Sequence, residues 1–340
     1  MTTAEQTAEQ TAVPAVALPP RPSRLRRLLS SPVLANRQSL VGLSILGLFV
    51  LVALIGPLFI HGDVRAKVGP VFAPPSRRFW LGTDGGGSDM VQLLVMGARV
   101  SLLVGFASAA VSVLIGGTVG LLSGFYGGKT DIVLMRITDY VLVLPDIPLM
   151  IVVAALFGRS LTNIILIIGI IYWTSTARLL RAQVKSVRER VYVQRARALG
   201  AGNARLIFRH VLPQVTPLLI ANTVLFIAYA IFAETFITFL GLGDPSIVSW
   251  GRLIENAFTD DAILNNAWWA IVPPGVAVTV VVLACTMTGQ AMEDALNPRL
   301  RSGHLSVRRF RLRPVPGEGL GAGAGTGAVP ASPAPPREPS

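Results

Sequence analysis

Residues 39–60 read SLVGLSILGLFVLVALIGPLFI and contain no charged side chain. A helix of this length rises about 33 Å, at roughly 1.5 Å per residue. The hydrocarbon core of a bilayer is about 30 Å thick, so the stretch is predicted to span a membrane. A cleaved signal peptide would have a shorter apolar run nearer residue 1 and would end in small residues, whereas His61-Gly62-Asp63 follows here. The sequence therefore predicts an uncleaved first transmembrane helix.

The composition of the whole chain agrees with a membrane protein. Of its 340 residues 52% are hydrophobic and 14% are charged, whereas soluble domains carry about 25% charged residues. The mean hydropathy of +0.60 points the same way. This chain cannot cover a water-facing surface in the usual manner, which argues against a soluble enzyme.

The charge and the cysteine count exclude further classes. Thirty Lys and Arg stand against 18 Asp and Glu, giving a formal charge of +12. In a membrane protein such an excess is typical of cytoplasmic loops, and we expect no nucleic-acid partner. The single cysteine, Cys285, lies in an apolar run, which excludes an internal disulfide and a multi-thiolate metal site. It is predicted to be a small buried apolar residue.

Five further apolar runs follow the first, and together they predict an all-α integral membrane protein with six transmembrane helices. An even number of spans places both termini on one side. The predicted spans cover residues 39–60, 100–125, 132–157, 161–180, 212–240 and 268–290.

The distribution of Lys and Arg predicts the orientation, because cytoplasmic loops retain these residues. Residues 177–212 carry nine of them against Glu189 alone, whereas residues 241–267 contain only Arg252. The first stretch is therefore predicted to be cytoplasmic and the second to face outward. The loop after the first span agrees less cleanly, since it also contains several basic residues. Both termini are predicted to lie in the cytoplasm, at the cell membrane.

The two ends of the chain differ from the middle. Residues 1–37 mix Thr, Ala, Pro, Glu and Gln and then become basic, and residues 302–340 include a long run of Pro, Gly and Ala. Such compositions bury too little apolar surface to fold. We expect two disordered cytoplasmic tails around a six-helix domain over residues 38–301.

Catalytic and metal-binding motifs are absent from the sequence. The three histidines lie in three different loops, and neither G-x-S-x-G nor H-E-x-x-H occurs. Residues 124–130, GFYGGKT, approach a phosphate-binding loop but are one residue short, with Ser123 where glycine is required. The glycines instead favour a tight turn between the second and third spans. We expect this chain to bind no cofactor and no metal.

One face of the second span consists of small residues. They recur every four positions and so lie along one side of a helix, where another helix can approach closely. We predict a packing seam, either with a partner or with another helix of the same chain. Its residues are Ser108, Ser112, Gly116, Gly120 and Gly124.

Three ionisable residues within the predicted spans need an explanation, because charges are costly there. Asp139 lies one turn from Arg136 and is predicted to pair with it. Asp146 stands between Pro145 and Pro148, where a kinked helix can admit water beside a pathway. For Glu234, near the outer end of the fifth span, the favoured interpretation is an interfacial or buried structural hydrogen bond.

Asp146 and Glu234 together also suggest an alternative, an ion-coupled secondary transporter with these two as pathway residues and a helix broken at the prolines. That alternative predicts inverted repeats, and the two halves of the chain have no convincing self-similarity. A membrane-embedded enzyme is a third class. It needs a nucleophile or a metal cluster within the spans, and the sequence has neither.

The basic stretch of about residues 188–213 predicts a helix, a turn and a second helix. The first helix is predicted to end at Gly200, since glycine suits the left-handed residue that follows a helix. The second is predicted to run to the boundary set by Pro213. Leu206, Ile207 and Val211 form a short apolar stripe on it beside arginines. Such a stripe can dock in a groove of another protein.

This basic stretch resembles the cytoplasmic EAA loop of permeases in binding-protein-dependent ABC importers. The likeness is to the C-type permease of the dipeptide, oligopeptide and nickel branch, which typically reads Y-V-x-A-A-R-A-L-G-A-S, a basic residue and then I-F-x-H-x-L-P. Gln194, Arg195 and Gly202 depart from that pattern. The matching positions are Tyr192-Val193, Ala196 through Ala201, Ile207-Phe208, His210 and Leu212-Pro213.

Distant parts of the chain resemble the same family, over roughly residues 40–301. They are Leu81-Gly82-Thr83-Asp84, Gly97-Ala98-Arg99, Gly127-Gly128 with Asp131, Ala233-Glu234, Thr238 through Gly243, Ser249-Trp250-Gly251 and Asp294 through Arg299. Ser88 stands where the family usually has Arg.

The resemblance implies a type I importer permease that forms the translocation path with a second, homologous permease. Two cytoplasmic ATPase subunits would hold ATP and Mg²⁺, and an extracytoplasmic binding protein would deliver di- or oligopeptides or small solutes such as nickel complexes. The outer segments 81–89 and 241–251 would face that binding protein. The implied ATPase-coupling residues are Gln194, Ala196, Arg197, Ala198, Leu199, Gly200, Ala201, Ile207, Phe208, His210 and Pro213.

Overall fold

A computed structural model of the protein describes residues 37–60 and 62–296. Within those ranges the regular structure is helical, with one isolated bridge between Thr83 and Asp89. The all-α prediction is confirmed, and the predicted tails lie almost entirely outside the described residues. The helices are α1 (Arg37–Phe59), α2 (Met90–Tyr126), α3 (Gly128–Val143), α4 (Asp146–Phe157), α5 (Leu161–Arg188), α6 (Val191–Ala198), α7 (Asn203–Leu206), α8 (Leu212–Ile237), α9 (Trp250–Thr259) and α10 (Val272–Leu296).

Five helical segments of the described chain are long and apolar enough to cross a membrane. The pair α3 and α4 makes a sixth span if it counts as one, and the two helices are bent by 85°. With that pair counted as one span, the described chain has the six spans that the sequence predicts. The five single segments are Arg37–Phe59, Met90–Tyr126, Leu161–Arg188, Asn203–Leu242 and Trp268–Leu296.

The third span differs from the prediction of one helix over residues 132–157. Its two helices are separated by Leu144 and Pro145, both with extended backbone. A proline disfavours helical geometry in the residue before it, and it also lacks the N–H that a continuing helix needs. The kink that the sequence placed near Asp146 is therefore a complete break.

The helices also extend beyond the apolar runs that predicted them. The second span begins at Met90 rather than residue 100, because the side chain of Asp89 accepts a hydrogen bond from the backbone N–H of Val91 (2.8 Å) and caps the helix. The fourth span continues to Arg188, eight residues past the predicted end. Hydropathy marks only the part of a helix that lies in hydrocarbon, so polar ends are missed.

Helices α2 and α5 form the centre of the bundle and approach each other at backbone distance. A Cβ atom added to Gly116 would lie 2.3 Å from the carbonyl oxygen of Trp173, and one added to Gly120 would lie 2.6 Å from that of Ala177. The hydroxyl groups of Ser112 and Thr176 lie 3.3 Å apart between the two helices. The small-residue face of α2, including Ser108 and Gly124, thus packs against a helix of the same chain.

The connections at one end of the bundle meet in a structure that we call the cap, residues 62–89 and 243–271. The indole Nε1 of Trp269 donates a hydrogen bond to the carbonyl oxygen of Thr83 (3.1 Å) and joins its two parts. The indole Nε1 of Trp250 donates to the carbonyl oxygen of Leu94 (3.0 Å) and fastens the cap to α2. The two segments predicted to face outward therefore lie together.

At the opposite end a tight turn joins α2 to α3. Gly127 and Gly128 have φ values of 68° and 54°, which suit glycine. The turn lies between two helices, so the strand, loop and helix context of a phosphate-binding loop is missing here. The glycines of residues 124–130 thus serve the turn and the seam with α5.

Candidate functional site: the coupling segment and two buried carboxylates

The basic stretch, which we call the coupling segment (about residues 188–213), contains α6 and a left-handed turn. Gly200 has φ 84°. Its backbone N–H donates to the carbonyl oxygen of Arg197 (2.9 Å), and that of Ala201 donates to Ala196 (3.1 Å). This pair of bonds is the Schellman motif, which satisfies the last carbonyl groups of a helix. The turn predicted at this glycine is present.

The second helix does not end at Pro213, contrary to the prediction. It begins as α7, passes through a π turn at Ile207–Val211 and continues as α8. In the π turn the backbone N–H of Leu212 bonds to the carbonyl oxygen of Ile207, five residues back. The wider turn suits a proline, which has no N–H to give and whose ring crowds the preceding turn. The second part of the coupling segment and the fifth span therefore form one helical run, Asn203–Leu242.

The apolar stripe of the coupling segment faces the bundle and not a partner, which corrects the prediction. Leu206 and Val211 are fully buried, and Ile207 is 6% exposed. They pack in a cluster with Phe125, Leu180, Val184, Val187, Val193 and Val215. Because this helix runs on into the fifth span, positions 207, 211 and 215 continue the inward face of that span.

Other apolar side chains of the coupling segment point away from the bundle. Leu199, at the turn, is 88% exposed, and Phe208 is 68% exposed. Five arginines around them are also exposed: Arg190, Arg195, Arg197, Arg205 and Arg209. Of the remaining predicted coupling residues, Ala198, Gly200 and Pro213 are exposed, whereas Gln194, Ala196, Ala201 and His210 are half-buried. Exposed apolar side chains with arginines near them along the chain suit a partner surface that is both apolar and acidic.

Hydrogen bonds hold the coupling segment to the ends of the neighbouring helices. The Nη1 atom of Arg188 donates to the carbonyl oxygen of Phe125, at the end of α2 (2.9 Å). The Nε2 atom of Gln194 donates to the carbonyl oxygen of Arg188 (3.0 Å), and the guanidinium of Arg197 lies 5.7 Å from the ring centroid of Phe125. Gln194 thus has a contact of its own here, although it departs from the family pattern.

Two carboxylates of α3 pair with bases on α5. Asp139 pairs with Arg178 (2.6 Å) and not with Arg136, so that prediction is wrong. The Oδ2 atom of Asp131 accepts from the Nη2 atom of Arg181 and from the Nζ atom of Lys185, at 2.7 Å each. Both pairs cross between helices, because α3 turns back along α5 after the tight turn at Gly127. They fasten α3 to α5.

Asp146 is the first residue of α4, at the break in the third span. Its Oδ1 atom accepts from the backbone N–H of Ile147 (2.9 Å). Its Oδ2 atom accepts from the phenol hydroxyl groups of Tyr172 and, at 3.2 Å, Tyr229. These tyrosines come from α5 and α8, so three spans meet at one carboxylate.

Glu234 is 2% exposed and lies near the end of α8. Its Oε2 atom accepts from the Ser101 hydroxyl (3.2 Å), and its Oε1 atom accepts from the Thr238 hydroxyl (3.1 Å). Ser101 in turn accepts from the backbone N–H of Trp250 (3.2 Å). This network joins α2, α8 and the start of α9, which agrees with a buried structural hydrogen bond. The pathway role suggested for Glu234 has no open surface to act on in this arrangement.

Sequence reasoning missed Tyr172 and Tyr229. They lie 57 positions apart on different spans, and aromatic residues in spans are common, so no local signal points to Asp146. Sequence reasoning also gave no role to Arg188, because in the sequence it is one of many positive charges in a loop. Hydrogen-bond geometry alone separates it from its neighbours.

The described part of the chain contains no group of three or more His, Cys, Asp or Glu side chains arranged to hold a metal ion. Cys285 is fully buried in α10, as the sequence predicted.

These features define a class: a polytopic α-helical membrane protein with a cap of connecting segments at one end and a braced basic segment at the other. The family model for binding-protein-dependent transport system inner membrane components matches residues 116–302, which is more than half of the chain. This protein belongs to that family. The match does not support the secondary-transporter alternative.

Relatives of known name extend the likeness over most of the chain. It is 35% identical over 270 residues to the dipeptide transport system permease protein DppC of Alkalihalophilus pseudofirmus, covering 78% of this chain and 88% of that protein. It is 33% identical over 269 residues to the oligopeptide transport system permease protein OppC of Bacillus subtilis, covering 78% and 87%. A putative peptide transport system permease protein of Brucella abortus is 35% identical over 277 residues, covering 81% and 92%.

Proposed function

We propose that this chain is one permease subunit of an ATP-driven importer of dipeptides or oligopeptides. It forms the translocation path with a second, homologous permease. Two cytoplasmic ATPase subunits drive the transport, and an extracytoplasmic binding protein delivers the peptide to the cap. The chain itself is not an enzyme and holds no cofactor, since ATP and Mg²⁺ bind to the ATPases.

The exposed face of the coupling segment is the observation that carries this proposal. Leu199 and Phe208 project from the coupling segment, whose other side packs in the buried cluster and is held by Arg188. An exposed apolar pair on a rigid support is typical of a protein contact. The same helical run continues into the fifth span, so a displacement of this face moves a membrane helix.

The orientation follows from the charges. The coupling segment and the turn at Gly127 are at the end of the bundle that carries the arginines, and positive loops stay in the cytoplasm. The cap then faces outward, and both termini lie inside the cell. The cargo follows from the names of the relatives, which transport dipeptides, oligopeptides or peptides.

Replacing Leu199 with a negatively charged residue tests the coupling role. In the assembled importer we expect Leu199→Asp to lower peptide-stimulated ATP hydrolysis and peptide uptake at least tenfold, because a carboxylate cannot enter an apolar groove without a partner. Leu199→Met is the matched control. It keeps an apolar side chain of similar size at the same exposed position, so the importer should keep its ATPase coupling.

Membrane insertion and the amount of protein should be the same in both variants, since the side chain of Leu199 is 88% exposed. If Leu199→Asp hydrolyses ATP and transports peptide as well as the unmodified importer, the coupling segment is not the contact with the ATPases.

A further inference from the structure

The carboxylate of Asp146 lies at mid-depth in the bundle. It follows the break in the third span, and its partners Tyr172 and Tyr229 come from the middle parts of the spans Leu161–Arg188 and Asn203–Leu242. Three chain segments that are far apart in sequence thus bring their polar groups to one point between the two ends.

Among the described residues, the donors to this carboxylate are neutral. Its bonds come from two phenol hydroxyl groups and one backbone N–H. The ion pairs among the described residues involve Asp131, Asp139, Glu189 and Glu255, and Asp146 belongs to none of them. A carboxylate at membrane depth without a positive partner is costly and is a candidate for a functional position. Glu234 likewise belongs to none of these ion pairs, but it is 2% exposed, whereas Asp146 is half-buried and open to a ligand.

The surroundings of the carboxylate are aromatic. The ring centroids of Tyr172 and Tyr229 are 4.0 Å apart, and that of Phe226 lies 5.3 Å from Tyr172 and 6.4 Å from Tyr229. Asp146, Tyr172 and Tyr229 are half-buried, so the cluster is reachable from a surface of the bundle. Aromatic faces beside a carboxylate are the arrangement that binds organic ammonium groups.

We propose that Asp146, Tyr172, Tyr229 and Phe226 form a subsite in the translocation path for the α-ammonium group of the cargo peptide. The α-amino group of a peptide has a pKa near 7.7–8.0 and is mostly charged at neutral pH. The phenol hydroxyl groups fix the carboxylate, and the rings enclose the cation. This proposal rests on the peptide import proposed above and adds a recognised group to it.

The first test measures binding to the assembled permeases and ATPases in nanodiscs, without the binding protein. The probes are radiolabelled trialanine and N-acetyl-trialanine, which differ in the charged amine. We expect trialanine to bind at least tenfold more tightly than its acetylated form. Asp146→Asn should remove that difference. Asp139→Asn is the matched control, since Asp139 lies on the same span in an exposed pair with Arg178, and the difference should persist.

Two further variants keep the test valid if Asp146→Asn assembles poorly. Asp146→Glu keeps the charge and should keep a preference for the free amine. Tyr229→Phe removes one donor to the carboxylate and should reduce that preference by a few fold. The proposal is overturned if the unmodified assembly binds both probes equally, or if Asp146→Asn still prefers trialanine. It is also overturned if Asp146→Asn releases the second permease, since the carboxylate would then serve subunit pairing.

ATP-driven uptake of trialanine with the binding protein separates this proposal from the proposed function. An importer that takes up no peptide contradicts the function itself. An importer that takes up trialanine while Asp146→Asn does so at an unchanged rate and affinity contradicts only the subsite.

Discussion

Gly200 and Gly202 are two glycines of the coupling segment with different backbone demands. A Cβ atom would meet nothing within 4 Å at either position. Gly200 has φ 84°, whereas Gly202 has φ −67°. Space is therefore equal at the two positions, and only the left-handed backbone at Gly200 excludes other residues.

Gly200→Val is expected to strain the turn by about 1–2 kcal/mol, the cost of a left-handed conformation for a residue with a Cβ atom. Peptide-stimulated ATP hydrolysis should fall because Leu199 is displaced from its position beside the turn. Gly202→Val places the same side chain in equally open space without a positive φ and should have a much smaller effect. The measurement is ATPase stimulation in the assembled importer, with the amount of inserted protein as the reference. Equal losses in the two variants would show that bulk, and not backbone geometry, matters there.

At the scale of the element, α2 and α5 depend on the absence of side chains between them. A Cβ atom at Gly116 would lie 2.3 Å from a backbone oxygen, which cannot move aside without the helix. At the next residue, Gly117, the nearest atom is 4.0 Å away and belongs to Val113 of the same helix. Substitutions at these two neighbouring glycines therefore distinguish the effect of packing from the effect of helix propensity.

Gly116→Ala is expected to destabilise the protein by about 1–3 kcal/mol, the usual cost of overpacking. Gly117→Ala adds the same methyl group where there is room, and its effect should be small or slightly stabilising. Thermal unfolding of the two variants in detergent compares them directly. A Gly117→Ala variant as unstable as Gly116→Ala would mean that the seam is not the cause.

The sequence predicts the elements well where one physical rule acts alone. Apolar runs of 20 or more residues locate the spans, and the four-residue recurrence from Ser108 to Gly124 locates the face that packs on α5. The prediction is wrong where two rules compete at a proline. Pro145 breaks a span completely, whereas Pro213 is absorbed in a π turn. Their local sequences do not distinguish these outcomes, because the result depends on what the helix packs against on each side.

The candidate site is less predictable than the fold. The arginines and the glycine of the coupling segment are local signals, so its position and its turn can be read from the chain. Which of its apolar residues are exposed depends on the packing of α2, α5 and α8 beneath them. The bonds of Asp146 are likewise unpredictable, since its partners lie 26 and 83 positions away.

At the scale of the whole molecule, the cap carries two carboxylates whose pKa values shift in opposite directions. Burial raises the pKa of Asp260 above its ordinary value of 3.8, and the nearby charges of Asp84 and Asp261 add to that effect. The hydroxyl and backbone N–H of Ser246, at 2.6 and 2.9 Å, lower the pKa of Asp244. Ionisation of Asp260 therefore destabilises the folded state, whereas ionisation of Asp244 stabilises it.

Asp260→Asn is expected to stabilise the protein at neutral pH. The folded state holds the Asp260 proton more tightly than the unfolded chain, so stability falls as the pH rises from 3.8 through the raised pKa, and the amide removes that loss. Asp244→Asn should be less stable than the unmodified protein at neutral pH, because the bonds to the ionised carboxylate are weakened. Unfolding temperatures between pH 4 and 8 provide the measurement. A pH profile that Asp260→Asn leaves unchanged would contradict the assignment.

The helical run Asn203–Leu242 has a mechanical consequence for transport. Its 40 residues would rise about 60 Å at the usual 1.5 Å per residue, and the run passes through the π turn at Ile207–Val211 before it bends at Gly241. The hydrogen bonds of a helix join each turn to the next, so a rotation of one end of the run is passed along it toward the other. In the proposed importer, a movement at the coupling segment is thereby linked to the part of the fifth span that lies beside the cap.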